Sequence, residues 1–247
     1  MATSAQSSAT VSRAKPAHRA GRSFYFGMSL LIAAIVIYGF SQTVDHKLIH
    51  AHPARPWPLW IHGVLFAGWV AFFTLQSALV WTRHVGLHRT LGWFGAGWAS
   101  AMTGVGFWIT VVMARWEMAR QHDAGFVAFL LIVSFWDITC FTALFWMAVA
   151  RRKQPEFHRR LMLMATCVLT SAAFARFPWE AFSDNWFYAG VDGLILLGVT
   201  RDLVVSRTVH PAYRYALPVL VAGQIFVVRT YLATPVWWMH AVNAIVR

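Results

Sequence analysis

The stretch from His62 to Trp93, HGVLFAGWVAFFTLQSALVWTRHVGLHRTLGW, constrains this chain more than any other. It holds a long apolar run, a short basic turn, and the start of a second apolar run opened by Leu87-His88-Arg89. About 20 apolar residues at 1.5 Å rise cross the hydrocarbon core of a bilayer. The stretch therefore predicts two crossing helices joined by a tight turn. Within the first run His62, Trp69, Gln76 and Arg83 recur every seven residues and share one helix face. A polar stripe on a membrane helix must face protein or a water-filled cavity, because lipid cannot solvate it.

Composition agrees with a membrane reading. Of 247 residues only 12% are charged, about half the ~25% usual in soluble domains. The net charge of +12 raises the question of nucleic acid, but the basic residues form no DNA- or RNA-reading module. They sit in the gaps between apolar runs, which is the signature of membrane topology. Cys140 and Cys167 lie inside apolar runs and make no CxxC pattern, so they read as small core residues. Residues 1–22 are Ser/Ala-rich, basic and without acid, and read as a disordered tail or a targeting segment ahead of one helical membrane domain over 23–247.

Seven apolar segments can be marked, at roughly 24–43, 57–81, 90–114, 125–150, 161–178, 186–203 and 215–233. They predict an all-α, polytopic bundle. The loops around Arg83 and Arg89, Arg151 to Arg160, and Arg201 to Arg214, with the N-terminal arginines, hold most of the basic residues. That asymmetry predicts these loops and the N-terminus inside, the C-terminus outside, and a place in the cell inner membrane. Trp57, Trp60, Trp81, Trp93, Trp116, Trp179, Trp186, Trp237 and Trp238 fall near the segment ends, as interfacial belts do.

Two inner loops are alike. TRHVGLHRTLGW leads into the third segment and RRKQPEFHRRLML into the fifth, each placing a His-Arg pair at the start of the next span. His88 and His158 then lie at equal depth. Along the third helix His88, Gly92, Gly95, Ala99, Thr103 and Gly106 share a face, and along the fifth His158, Met162, Ala165, Leu169, Ala172 and Arg176 do. Small residues in such rows admit a neighbouring helix or a flat cofactor. Two imidazoles at one depth suit a bis-His haem or a transition metal, with His84 as a candidate third ligand and Arg89 and Arg160 as candidate partners for haem propionates. The competing reading is that such histidines contact only loop carbonyls or headgroups.

A second polar set lies deeper. Asp137 falls near the middle of the fourth segment, where an unpaired carboxylate costs about 2.5–3.5 kcal/mol. With His62, Gln76, Arg176, Asp192 and Arg229 it forms a candidate intramembrane cluster, in which Arg176 and Arg229 could also simply reach the outer headgroups. His46, His50 and His52 of an outer loop, with His122 and His240, carry a weaker metal signal. No hydrolase, metalloprotease, P-loop or dinucleotide motif is present.

At WIHGVLFAGWVAFFTLQSALVWTRHVGLHRTLGW and EFHRRLMLMATCVLTSAAFAR the chain resembles a family of bacterial multi-pass membrane proteins of unknown function. That family's early His, later Gln, LHRxLG and HRRxM motifs map onto His62, Gln76, Leu87-His88-Arg89, Gly92, His158-Arg159-Arg160, Met162 and Arg176. A fainter similarity exists to the di-haem b-type transmembrane cytochromes, although His62 has no intramembrane histidine on the fourth segment to pair with. The expectation is an integral membrane protein binding haem b or a transition metal in a redox role. Its alternatives are a non-redox small-ligand carrier and a structural or assembly subunit. The expected partners are the bilayer and other membrane subunits, with no nucleic acid.

Overall fold

The computed structural model describes residues 14–120, 123–179 and 186–247. It is 84% helix, and no strand occurs among the described residues. In chain order the helices are α1 (Ala14–Ser41), α2 (Pro58–Trp81), α3 (Val85–Met118), α4 (Ala124–Ala150), α5 (Pro155–Val168), α6 (Ser171–Phe174), α7 (Phe187–Ser206), α8 (Pro211–Ala233) and α9 (Val236–Val246). A π-helical turn, Asp45–Ile49, lies between α1 and α2. Of the expected tail, residues 1–13 lie outside the described residues, as do His122 and Glu180.

Local chemistry sets the ends of these helices. Pro58, Pro155 and Pro211 open α2, α5 and α8 at the position where a missing N–H costs nothing. The α2–α3 turn is three residues long. In it Thr82 returns its hydroxyl to the Ala78 carbonyl at 2.8 Å and Arg83 reverses the chain at φ 70°. So short a turn forces α2 and α3 to lie antiparallel and side by side. α3 in turn packs against α4, and α4 against α5, so the four form consecutive neighbours. α1 lies against α2 and α6, α7 against α5 and α6, and α8 against α4.

The bundle core is aromatic at its centre. Trp69 of α2 meets Phe141 and Phe145 of α4 edge-on, with ring centroids 5.4 and 5.6 Å away. Leu131, Phe141, Leu163 and Met164 are completely buried around it. On the outside, Val64, Val204, Val219 and Val236 are largely exposed, an apolar coat suited to lipid. α2, α3, α4, α8 and the Gly21–Ser41 part of α1 are five helices long and apolar enough to cross a membrane. These features support a multi-pass membrane protein.

The remaining two expected spans differ from a simple crossing. The segment expected as one helix over 161–178 is broken into α5 and α6. The Thr170 hydroxyl donates to the Cys167 carbonyl at 2.6 Å, and the Ser171 hydroxyl donates to Asp137 instead of to its own helix. A hydroxyl that bonds to nearby backbone, as that of Thr170 does, competes with helical continuation. With 14 residues α5 is only about 21 Å long, short of a ~30 Å core. α7 has the length, but carries Asp192, Arg201 and Asp202.

At the opposite end of the bundle from His88 and His158, Arg55 pairs with Glu117 and lies 4.4 Å over the Trp116 ring, with Arg120 at 4.3 Å. Arg115 donates to the Ile245 carbonyl at 3.0 Å, which ties α9 to α3.

Candidate functional site

The basic ends of α2, α3, α4 and α5 meet at two histidines. His88 stands in the first turn of α3 and His158 in the first turn of α5, both half-buried. Their ring centroids are 6.3 Å apart and their planes are inclined at 75°. Each ring is held by the same nitrogen. Nδ1 of His158 donates to the Ala148 carbonyl at 2.9 Å. That oxygen is one of the last four of α4, which have no amide of their own helix to accept from. Nδ1 of His88 donates to Oε1 of Gln76 at 2.8 Å, and Gln76 is itself buried in α2.

These two hydrogen bonds decide the tautomers. A carbonyl oxygen only accepts, so each Nδ1 carries the proton and each Nε2 keeps its lone pair. Among the described residues neither Nε2 takes a hydrogen bond. An Nδ1–H anchored on a carbonyl with Nε2 left bare is the usual second-shell arrangement of a metal-ligating histidine. The two bare Nε2 atoms are the donors that could hold one metal ion or the iron of a haem. Gly92, one turn beyond His88, adds room, because a Cβ built there would meet no atom within 4 Å.

The surroundings depart from expectation in three places. Gly95 does not face free space, since a Cβ there would come within 2.6 Å of the Phe72 ring. His84 turns away to Thr82 Oγ1 at 2.9 Å in the exposed turn, and no group of three or more metal-ligating side chains gathers among the described residues. Arg160 does not reach toward the histidines. Its guanidinium is buried and grips Asp202 through Nε and Nη2, both at 2.7 Å, an ion pair too costly to dissolve for a propionate. Arg89 is exposed beside His88, and Arg152 lies 5.5 Å over the Trp93 ring.

The deeper polar set resolves into separate contacts. Asp137 is buried and accepts from Ser171 Oγ and, at 3.0 Å, from the Tyr188 hydroxyl, so both carboxyl oxygens are satisfied. It lies 11 residues before Ala148 on α4, about 16 Å along the helix axis from that carbonyl. Asp192, one turn beyond Tyr188, accepts from Gln224 of α8 at 3.1 Å. Arg229 is exposed and forms no ion pair with it. Arg176 donates to Thr43 Oγ1 at 3.1 Å and to the Ala172 carbonyl. His62 stacks on Phe66 with centroids 4.1 Å apart, and its buried Nδ1 has no partner among the described residues. In the loop between α1 and α2 His50 pairs with Asp45 at 2.6 Å.

Sequence reasoning placed Gln76 in the deep set and missed its bond to His88. The signal was present: Gln76 lies six residues before the turn and His88 four residues after it, so antiparallel packing brings them to one depth. The role of the Ala148 carbonyl has no side-chain signature and was not legible. Comparison of the chain with family models, curated proteins and solved structures finds no match in any of the three.

Proposed function

We propose that this is an integral membrane redox protein in which His88 and His158 hold one haem b at the basic end of the bundle. One observation carries the reading: two imidazoles 6.3 Å apart, both anchored through Nδ1 and both presenting a free Nε2. The fainter similarity of the helix histidines, the basic turn and the Leu87-His88 pair to the b-type transmembrane cytochromes points the same way. When bound, haem would supply one-electron transfer. The chain supplies its support. Gln76 and Ala148 fix the rings, the exposed Arg89 next to His88 would pair with a haem propionate, and Trp69, Phe141 and Phe145 pack an aromatic core in the same bundle.

The accompanying topology is seven membrane segments, with the broken α5–α6 unit counted as one. The N-terminus and the histidine end face the cytoplasm and the C-terminus lies outside, in the inner membrane. The Lys/Arg distribution supports it. Single cysteines at Gln154 and Asn243 check it with an impermeant thiol reagent on intact cells. Asn243→Cys labels and Gln154→Cys does not.

The function itself is tested by the absorption spectrum of protein purified in mild detergent and supplied with haem. The expected result is a Soret band and a sharp reduced α band, both lost in His88→Ala and His158→Ala while the helical circular dichroism persists. A protein that takes up no haem overturns the reading. Asp137 with its two hydroxyl donors then becomes the centre of a non-redox, proton-linked carrier.

A further inference from the structure

A second cluster at the same end of the bundle is unbalanced in charge and in hydrogen bonding. Arg159 and Arg160 of α5 and Arg201 of α7 converge on Glu156 and Asp202. Arg160 bridges the two carboxylates, with Nη1 on Glu156 Oε2 at 2.6 Å and Nη2 on Asp202 Oδ1 at 2.7 Å. Arg201 Nη1 adds a bond to Asp202 at 3.0 Å, and Arg159 pairs with Glu156. Burial alone would raise the Glu156 carboxyl, but the Arg160 hydrogen bond and the Arg159 charge outweigh it and hold it below its ordinary value. Three guanidinium groups thus converge on two carboxylates.

The surplus is hydrogen-bond donors as well as charge. Tyr25 of α1 lies under Arg159 at 5.0 Å and Arg201 at 5.9 Å, and Tyr213 of α8 borders the same group. α1 comes so close here that a Cβ on Gly21 would stand 3.0 Å from Arg201 Nη2 and 3.6 Å from Arg159 Nη1. Three of the seven buried side-chain polar atoms without a partner among the described residues belong to this neighbourhood: Tyr25 Oη, Arg159 Nε and Tyr213 Oη.

Topology alone does not account for this. The bias of basic residues to one side of a membrane is met as well by arginines in solvent. Here the Arg160 and Arg201 side chains are only 3% and 11% exposed. A buried donor left without an acceptor is costly, so three together beside surplus positive charge call for an acceptor-rich, negative ligand. A phosphate group is that ligand: it accepts several bonds and matches the guanidinium fork. Basic pockets between membrane helices at the headgroup level recognise anionic lipids in this way.

We propose that Arg159, Arg201 and Tyr25, bordered by Tyr213, bind a phosphate group at the membrane surface, independently of any haem at His88 and His158. The full-length protein is reconstituted in nanodiscs of phosphatidylcholine alone or with phosphatidylglycerol. In detergent it is titrated with inorganic phosphate against sodium chloride of equal ionic strength. Thermal unfolding is followed in each case.

Protection by phosphatidylglycerol over phosphatidylcholine identifies a lipid headgroup, and protection by inorganic phosphate over chloride identifies a soluble phosphate. In either arm Tyr25→Phe, which keeps the ring and the fold, and Arg201→Gln weaken the effect about tenfold in ligand concentration. No protection in either arm overturns the proposal, as does protection that persists undiminished in both variants.

Discussion

Nδ1 of His88 and Oε1 of Gln76 lie 2.8 Å apart across the turn that joins α2 to α3, so a buried amide of one helix orients the imidazole of the next. Outer-shell bonds of this kind typically alter metal affinity 10–100-fold. Gln76→Ala is expected to weaken haem retention by about that factor without abolishing it. Gln76→Glu keeps an acceptor, pulls harder on the Nδ1 proton and lowers the reduction potential. Haem transfer to apomyoglobin measures the first and a spectroelectrochemical titration the second. An unchanged transfer rate in Gln76→Ala would separate this bond from the site.

Asp137 accepts from hydroxyls on two other elements, Ser171 and Tyr188. Tyr188→Phe leaves one carboxyl oxygen of a buried group without its donor, which costs about 1–3 kcal/mol. Chemical unfolding in detergent should show that loss. Because the two groups share one bond, Tyr188→Phe in an Asp137→Asn background should cost less than in the wild type, giving a non-zero coupling in the double-mutant cycle. Additive costs would mean that the bond contributes nothing.

Gly39 of α1 lies directly against the backbone of Ala173 in α6, where a Cβ would overlap the Ala173 carbonyl. Backbone cannot rotate aside as a side chain can, so Gly39→Ala must push the helices apart and is expected to cost about 1–3 kcal/mol. Gly97→Ala, where nothing lies within 4 Å, stays within about 1 kcal/mol of the wild type. Parallel melting curves in one detergent compare the two.

His210 caps α8, its Nδ1 accepting from the Ala212 amide at 3.1 Å, and its ring meets Phe157 at 4.5 Å. Burial, then the Arg160 charge, lowers its pKa from the ordinary 6.5. A histidine depressed in the folded state binds fewer protons there than when unfolded. Its contribution is therefore complete above pH 6.5 and fades as pH falls toward the depressed value. Protonation also removes the capping lone pair, a bond worth about 1 kcal/mol. Melting temperature should fall between neutral and mildly acidic pH, and His210→Asn, which caps without titrating, should flatten that dependence. An equal slope in the variant would assign it to another group.

Apolar length, the basic loops and the matched positions of His88 and His158 were legible in the chain because each depends only on local sequence. A run of about 20 apolar residues has few solutions other than a membrane helix, and a three-residue turn leaves antiparallel neighbours no choice. Those rules bring the two histidines to one end of the bundle. They cannot say which nitrogen of each ring is held. That is decided by a carbonyl at the end of α4 and an amide from α2, groups that only packing delivers. The same limit explains the rest. Thr170 and Ser171 read as part of an apolar span until the tertiary structure supplies Asp137 to bond one of them. Arg160 reads as a candidate partner for a propionate until α7 carries Asp202 to it. Hydrophobic pattern sets where a helix may lie. The pairing of its few polar groups is a long-range matter, because a polar group in a low-dielectric interior takes whichever partner the fold brings within reach.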